Sequence, residues 1–315
     1  MYHGLAPEGK ARDTGHLLHD RPEPSHFEAH LKALTNSARV LTVEDAINEI
    51  SEKGQLSCDT ACITFDDGYS SVYEYAYPLL RKHDLAATVY LTTDWINRRM
   101  ELWWEILSDL IAGSSISPEH GPEIEAIIGL PHGTLDRENL NSAQSKRVLH
   151  NMISSEFVSL EHDIRLEMMR RLATLFGSKI GTSPNASPLT WDQVHEMSQN
   201  GIRFGSHTQS HFNFRMTSQD TIEQELADSV EEMKRHINSD ITGFAYPYGH
   251  DIEAYSQATE LISRAGFEYA CTAVQGINNC KSNKHLLYRE TLPPVRSSAL
   301  IEREISLDFI QKSTN

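Results

Sequence analysis

A chain of 315 residues, 39% hydrophobic and 23% charged, is neither disordered nor fibrous, and it has room for one large domain or for a core domain carrying an insertion. Its formal net charge of −16 disfavours a nucleic-acid backbone or an anionic membrane surface as the main partner. No run approaches the roughly 18 apolar residues of a membrane helix, and the start MYHGLAPEGKARD lacks the basic segment and apolar run of a signal peptide. The expected location is therefore cytoplasmic, with the reservation that Tyr2-His3, directly after Met1, leaves room for a missing upstream segment.

Residues 26–53 are predicted helical, from the apolar spacing of HFEAHLKAL and from TVEDAINEIS, where Thr42 is a cap candidate with Asp45 three positions on. ACITF is a short β-rich run ending in the turn sequence Asp66-Asp67-Gly68. SSVYEYAYPLLRKHD reads as a helix and AATVYLTT as a second strand, the βαβ rhythm of a parallel sheet or barrel. From about 97 to 186 that rhythm stops. LWWEILSDLIAG, SAQSKRVLHNMISS and HDIRLEMMRRLATLFG are helix-like stretches without a strand among them, which predicts a helical insertion.

The rhythm resumes with WDQVHEMSQNG as a short helix with a glycine stop and IRFGSHT as a strand. SQDTIEQELADSVEEMKRHI is a strongly acidic amphipathic helix, and ITGFAYPYG is a strand running into a loop. YSQATELISRAG is a helix with a glycine cap, FEYACTAV a strand, HLLYRETLPPV the last strand and ALIEREISLDFIQKST a terminal helix. The predicted division is 1–96 with 187–315 as the core domain, and 97–186 as the insertion.

Three constellations carry chemistry, each at a predicted strand end. In Thr64-Phe65-Asp66-Asp67-Gly68, one carboxylate of an adjacent pair can be held by a metal while the other accepts a proton; a simple polar turn is the competing reading. In His207-Thr208-Gln209-Ser210-His211, the i, i+4 spacing lets both imidazoles reach one metal, although a chain with 16 histidines can show such a pair by chance. Asp67, His207 and His211 would supply one oxygen and two nitrogens, with positions left open for water and substrate. Zinc is the first expectation; cobalt, nickel and iron(II) accept the same ligands. In Phe244-Ala245-Tyr246-Pro247-Tyr248-Gly249, the N–H of Tyr248 is a candidate donor toward substrate, since Pro247 has none; an ordinary aromatic turn is the alternative. Cys58 and Cys62 could share a metal, but Cys62 in ACITF reads better as a buried thiol.

With TFDDG, HTQSH and YPYG in this order, the chain resembles the polysaccharide deacetylase family, carbohydrate esterase family 4, which shares the nodulation-type deacetylase domain. The softer matches Tyr2-His3 and Leu189-Thr190-Trp191-Asp192 resemble deacetylases of poly-N-acetylglucosamine and exopolysaccharide systems. The resemblance covers about 1–96 and 187–296. It implies an α/β fold, a distorted (β/α)7 TIM-like barrel of about seven strands with its site at the C-terminal strand ends. It also implies Asp66 as base, Asp67, His207 and His211 as metal ligands, and Tyr248 at the groove. Trp191, Tyr246 and Pro247 would contact the sugar, with Trp191 equally readable as a core side chain whose helix is capped by Asp192.

Two departures from the family pattern stand out. The arginine that many members place two residues before the third-motif proline is Ala245 here, and Arg289 in LLYRE is the candidate to orient Asp66 instead. No clean copy of the late Leu-x-His motif is visible, so the acid for the leaving amine falls to His285, His250 or His3. The implied reaction is metal-dependent removal of an N-acetyl group from an amino sugar in a polysaccharide, oligosaccharide or lipid-linked glycan. The alternatives are a deformylase or other amide hydrolase acting on a lipid-linked sugar, and a catalytically inactive carbohydrate-binding protein. The insertion leaves after AATVYLTT, so it is expected to rise from the active-site face and to disfavour long polymers. Its Trp103-Trp104 pair is expected to pack as core or to contact a lipid-linked or polymeric substrate.

Overall fold

The structure, a computed structural model, describes residues 1–9, 21–135, 140–250 and 252–292. In chain order come α1 (Pro24–Ser37), β1 (Arg39–Leu41), α2 (Val43–Lys53), β2 (Thr60–Cys62), β3 (Thr64–Phe65), α3 (Tyr77–Lys82), β4 (Ala87–Leu91) and α4 (Thr93–Ile96). The helices α5 (Trp103–Gly113), α6 (Gly121–Ile128), α7 (Ala143–Phe157) and α8 (His162–Leu175) follow. Then come α9 (Trp191–Ser198), β5 (Ile202–Ser206), α10 (Gln219–Lys234), β6 (Gly243–Ala245), α11 (Ile252–Arg264) and β7 (Tyr269–Cys271). The terminal helix expected at 298–313 lies outside the described residues.

The chain forms two compact units. Among the described residues, the first comprises 1–9, 21–100 and 188–292, and the second falls within 101–187. In the first, β3-β4-β5-β6-β7 form one parallel sheet in sequential order, and β1-β2 form a parallel pair. Helices surround the sheet, which curls into an open barrel of α/β type. Tyr2 bridges to Phe65 at one edge, and Leu287 bridges to Cys271 at the other. Between those edges the nitrogen of Met1 donates to the Glu290 carbonyl at 2.6 Å. The interior strand β4, ATVYL, is buried on both faces, in keeping with its mostly apolar run.

Register sets how the barrel interior fills. Tyr90 on β4 pairs with Gly205 on β5, and Gly243 on β6 pairs with Tyr269 on β7. A Cβ at Gly205 would lie 2.6 Å from the Tyr90 ring and from the Gly243 carbonyl, and one at Gly243 would lie 2.3 Å from the Tyr269 hydroxyl. Each large ring thus occupies the space that its glycine partner leaves. Tyr90, Tyr269, Ala245, Cys271, Leu287 and Val43 form one buried cluster.

Several expected elements differ in detail. The continuous helical region at 26–53 is two helices parted by β1; Thr42 does cap α2, accepting the Asp45 N–H at 3.0 Å. ACITF is split into β2 and β3 at Ile63, and the helix after Asp67 begins as a π-helical turn at Val72–Ala76. Among the described residues, the last expected strand, HLLYRETLPPV, is reduced to the single bridge at Leu287. In the second unit, α5, α7 and α8 fall on the expected stretches, and α6 was not expected. Trp103 is buried there, edge-on to Trp104 and under the Arg165 guanidinium, so it is core. Among the described residues no helix is long and apolar enough to cross a membrane.

Candidate metal centre and catalytic site

Three strand ends build the site. After β3 the chain turns through Asp66, Asp67 and Gly68; Asp66 donates its N–H to the Tyr2 carbonyl at 2.9 Å, and Thr92, just past β4, donates to the Asp67 carbonyl at 3.2 Å. After β5, His207 donates its N–H to the Leu91 carbonyl at 2.9 Å, and the following loop is held against the start of α4. After β6, the Tyr246 N–H bonds to the Cys271 carbonyl at 3.0 Å and the chain turns at Pro247-Tyr248-Gly249. Of six described non-glycine residues with positive φ, four are Asp67, Thr208, His211 and Tyr248. Such backbone strain, held by the surrounding structure, concentrates where side chains must be aimed.

These turns bring Asp67, His207 and His211 together. Their ligand atoms lie within 4.8 Å of one another, all three residues are buried, and each Nε2 is 3.5 Å from Asp67 Oδ1. The Nδ1 of His207 meets the Ala245 carbonyl at 2.8 Å, so this nitrogen carries the proton and Nε2 is left as a lone-pair donor facing Asp67. Burial lowers the pKa of both imidazoles, more strongly for His211, where the neighbouring His207 adds to the effect. Neutral imidazoles are the ligating form.

Asp66 has a different setting. Its Oδ1 and Oδ2 accept Nη1 and Nη2 of Arg289, each at 2.7 Å, in a bidentate fork. Arg289 is fixed in turn by Nε donating to the Thr272 carbonyl at 2.6 Å. Burial works to raise the Asp66 carboxyl, but the charge of the adjacent Arg289, together with the forked hydrogen bonds, holds it well below the usual carboxylate range. Two adjacent carboxylates are thereby sorted, one facing a cation and the other facing two neutral imidazoles.

The remaining expected residues are placed as follows. Tyr248 is partly exposed, its ring edge-on to His211 with 4.7 Å between centroids. Tyr246 is only 1% exposed, and its hydroxyl donates to the His285 carbonyl at 3.1 Å. It is a core side chain, and the expectation that it contacts substrate is corrected on that ground. Pro247 is buried too, its carbonyl accepting the Tyr255 hydroxyl at 3.0 Å, which fixes the turn. Trp191 stacks on His236 at 4.2 Å and donates Nε1 to Asn97 at 2.8 Å, so one face and its polar edge are occupied. Its helix is capped by Thr190 in a box with Gln193, not by Asp192.

Of the candidate acids, His285 is buried with Nε2 on the Phe267 carbonyl at 3.0 Å, and His250 is exposed. His3 directly follows Tyr2, which bridges to Phe65 of β3. Cys58 and Cys62 are free thiols, and the described residues group neither with other metal-binding side chains. The sequence reading missed the contribution of α4, whose Thr93 and Asp94 N–H groups bond the Thr208 and Gln209 carbonyls at 3.3 and 2.9 Å. A four-residue helix gives no periodic signal.

YxkH of Bacillus subtilis, a protein named for the polysaccharide deacetylases, is 26% identical over 231 residues, 67% of this chain and 75% of its own length. A poly-beta-1,6-N-acetyl-D-glucosamine N-deacetylase of Staphylococcus aureus is 34% identical over 70 residues, 22% of this chain and 24% of its own length. Among solved structures, the deacetylase PplD of Streptococcus pyogenes matches with a TM-score of 0.59 at 19% identity, covering 96% of this chain and 93% of that one. IcaB of Ammonifex degensii matches with a TM-score of 0.56 at 16% identity over 96% and 93%. These likenesses establish a shared fold. The family model of polysaccharide deacetylases matches residues 53–152 and 168–270, more than half of the sequence, and the chain belongs to the polysaccharide deacetylase family.

Proposed function

We propose that the protein hydrolyses the N-acetyl group of an amino sugar within a glycan, using a divalent metal held by Asp67, His207 and His211. The observation that carries this reading is the pairing of that buried cluster with a neighbouring carboxylate, Asp66, oriented through both oxygens by Arg289. The donor set fits the group: one carboxylate oxygen and two neutral imidazoles suit zinc first, and cobalt, nickel or iron(II) as well. A cation there supplies Lewis acidity, polarising the acetamide carbonyl and acidifying water.

The chain's own residues do the rest. Asp66 accepts the proton from the attacking water; Arg289 leaves each carboxylate oxygen a further lone pair for that purpose and prevents rotation of the group. The N–H of Tyr248 stabilises the developing oxyanion. His3, placed by the pairing of Tyr2 with β3, protonates the departing amine as the C–N bond breaks. Acetate and a free amino sugar leave. The family match and the named poly-N-acetylglucosamine deacetylase relative support a glycan substrate, polymeric, oligomeric or lipid-linked.

The test is acetate release from N-acetylated oligosaccharides before and after removal of metal with a chelator. Acetate release that a chelator abolishes and zinc restores supports the proposal. Chelator-insensitive release removes the metal role, formate release from an N-formyl sugar alone makes it a deformylase, and glycan binding without release makes it a binding protein.

A further inference from the structure

The loop between the two histidine ligands is gripped by one carboxylate that belongs to no motif. Glu225, on α10, accepts the N–H of Gln209 at 3.0 Å and of Ser210 at 2.9 Å on Oε2, and the Ser210 hydroxyl at 2.6 Å on Oε1. One turn further along the same helix, the Ser229 hydroxyl meets Ser206 Oγ at 2.7 Å, and Ser206 Oγ accepts the Thr208 N–H at 3.1 Å. From the other side, α4 bonds the carbonyls of Thr208 and Gln209, and Asp94 accepts Gln209 Nε2 at 3.3 Å. Every residue from Ser206 to Ser210 is therefore tied at its backbone or side chain.

This grip has a conformational purpose. Thr208 and His211 stand at φ 69° and 54°, where a side-chain-bearing residue is disfavoured unless its surroundings over-determine it. Gln209 and Ser210 lie between them, and Glu225 binds both. Bonds from neutral N–H and O–H donors to a carboxylate are about twice as strong as neutral ones, so one side chain can hold two consecutive peptide units.

We infer that Glu225 is a positioning residue for the metal site: it fixes the loop so that His207 and His211 present their nitrogens to one ion before any ion arrives. The inference rests on the metal-site reading above. Glu225 does not touch the ion; it acts through the peptide units of Gln209 and Ser210. A site organised in advance avoids the cost of ordering its ligands on binding, and outer partners of metal ligands commonly change affinity by about 10–100-fold when removed.

The test is zinc affinity of the metal-free full chain, measured by competition with a chromophoric chelator. Glu225→Ala is expected to weaken zinc binding by about 10–100-fold. Glu225→Gln, which keeps one carbonyl acceptor for the two N–H groups, should fall between it and the parent. Leu226→Ala removes a fully buried side chain from the same helix while leaving every hydrogen bond from Glu225 to the loop in place, and should lower the unfolding midpoint while the folded protein keeps its zinc affinity. The cobalt(II) visible spectrum should change in Glu225→Ala and stay unchanged in Leu226→Ala. Parent-like affinity in Glu225→Ala, or an equal loss in Leu226→Ala, overturns the positioning role and leaves the metal site standing. Failure of the parent protein to bind zinc or cobalt overturns the metal-site reading and this inference with it.

Discussion

Asp66 and Asp67 are identical side chains on consecutive residues, and their neighbours alone separate their roles. Asp66→Asn keeps the size of the side chain but cannot accept a proton; it should retain zinc and lose about 10²–10⁴-fold in turnover. Asp67→Asn should instead weaken zinc by more than the roughly 10–100-fold typical of outer partners. Equal loss of metal in both variants would refute the division. The motifs TFDDG, HTQSH and YPYG made these residues legible, because ligand spacing is local. Arg289 was accessible only as a replacement for an arginine absent at Ala245, and Glu225 was hidden among the acidic residues of a helix whose surface is acidic throughout. Nothing local marks a residue whose partners lie on another element.

A second residue-scale prediction concerns His285. Burial lowers its pKa below the ordinary value of about 6.5, although the Phe267 carbonyl opposes the shift. The folded state then binds the proton less readily than the unfolded chain. Stability from this group is full above about pH 6.5 and declines as pH falls through that value toward the lower folded pKa. Replacing it as His285→Gln should therefore shrink the loss of urea midpoint between about pH 7.5 and about pH 5.5. An unchanged difference would show that His285 is not responsible.

At the scale of elements, the helices expected within 97–186 were readable because long periodic stretches announce themselves. Short elements did not. Arg39–Leu41 is three residues between two helices, α4 is a single turn, and Gly121-Pro122 disguises the start of α6. Gly205 of β5 and Gly243 of β6 are the seats of Tyr90 and Tyr269. Gly205→Ala should consequently destabilise by ~1–3 kcal/mol through overpacking, read as a lower urea midpoint. The added methyl has a carbonyl on one side and a ring on the other, and only the ring can move. A neutral result would mean that the sheet opens at this point more easily than its register indicates.

For the whole molecule, the helical stretch 97–186 is expected to limit access according to substrate length. Turnover on N-acetylated oligosaccharides that levels off beyond short oligomers supports it, and turnover that climbs steadily with length removes it.

The fork between Asp66 and Arg289 joins positions 223 residues apart. During synthesis residues 67, 207 and 211, the proposed ligands, are all present before Arg289 has been made, so the proposed metal cluster can gather before Asp66 meets its partner. Closing a loop of this length costs more entropy than the shorter closure that joins positions 67 and 207. Refolding followed with a zinc-sensitive probe and with acetate release should show ion capture leading and turnover lagging. Simultaneous recovery would mean that the barrel seam closes in the same step that gathers the ligands.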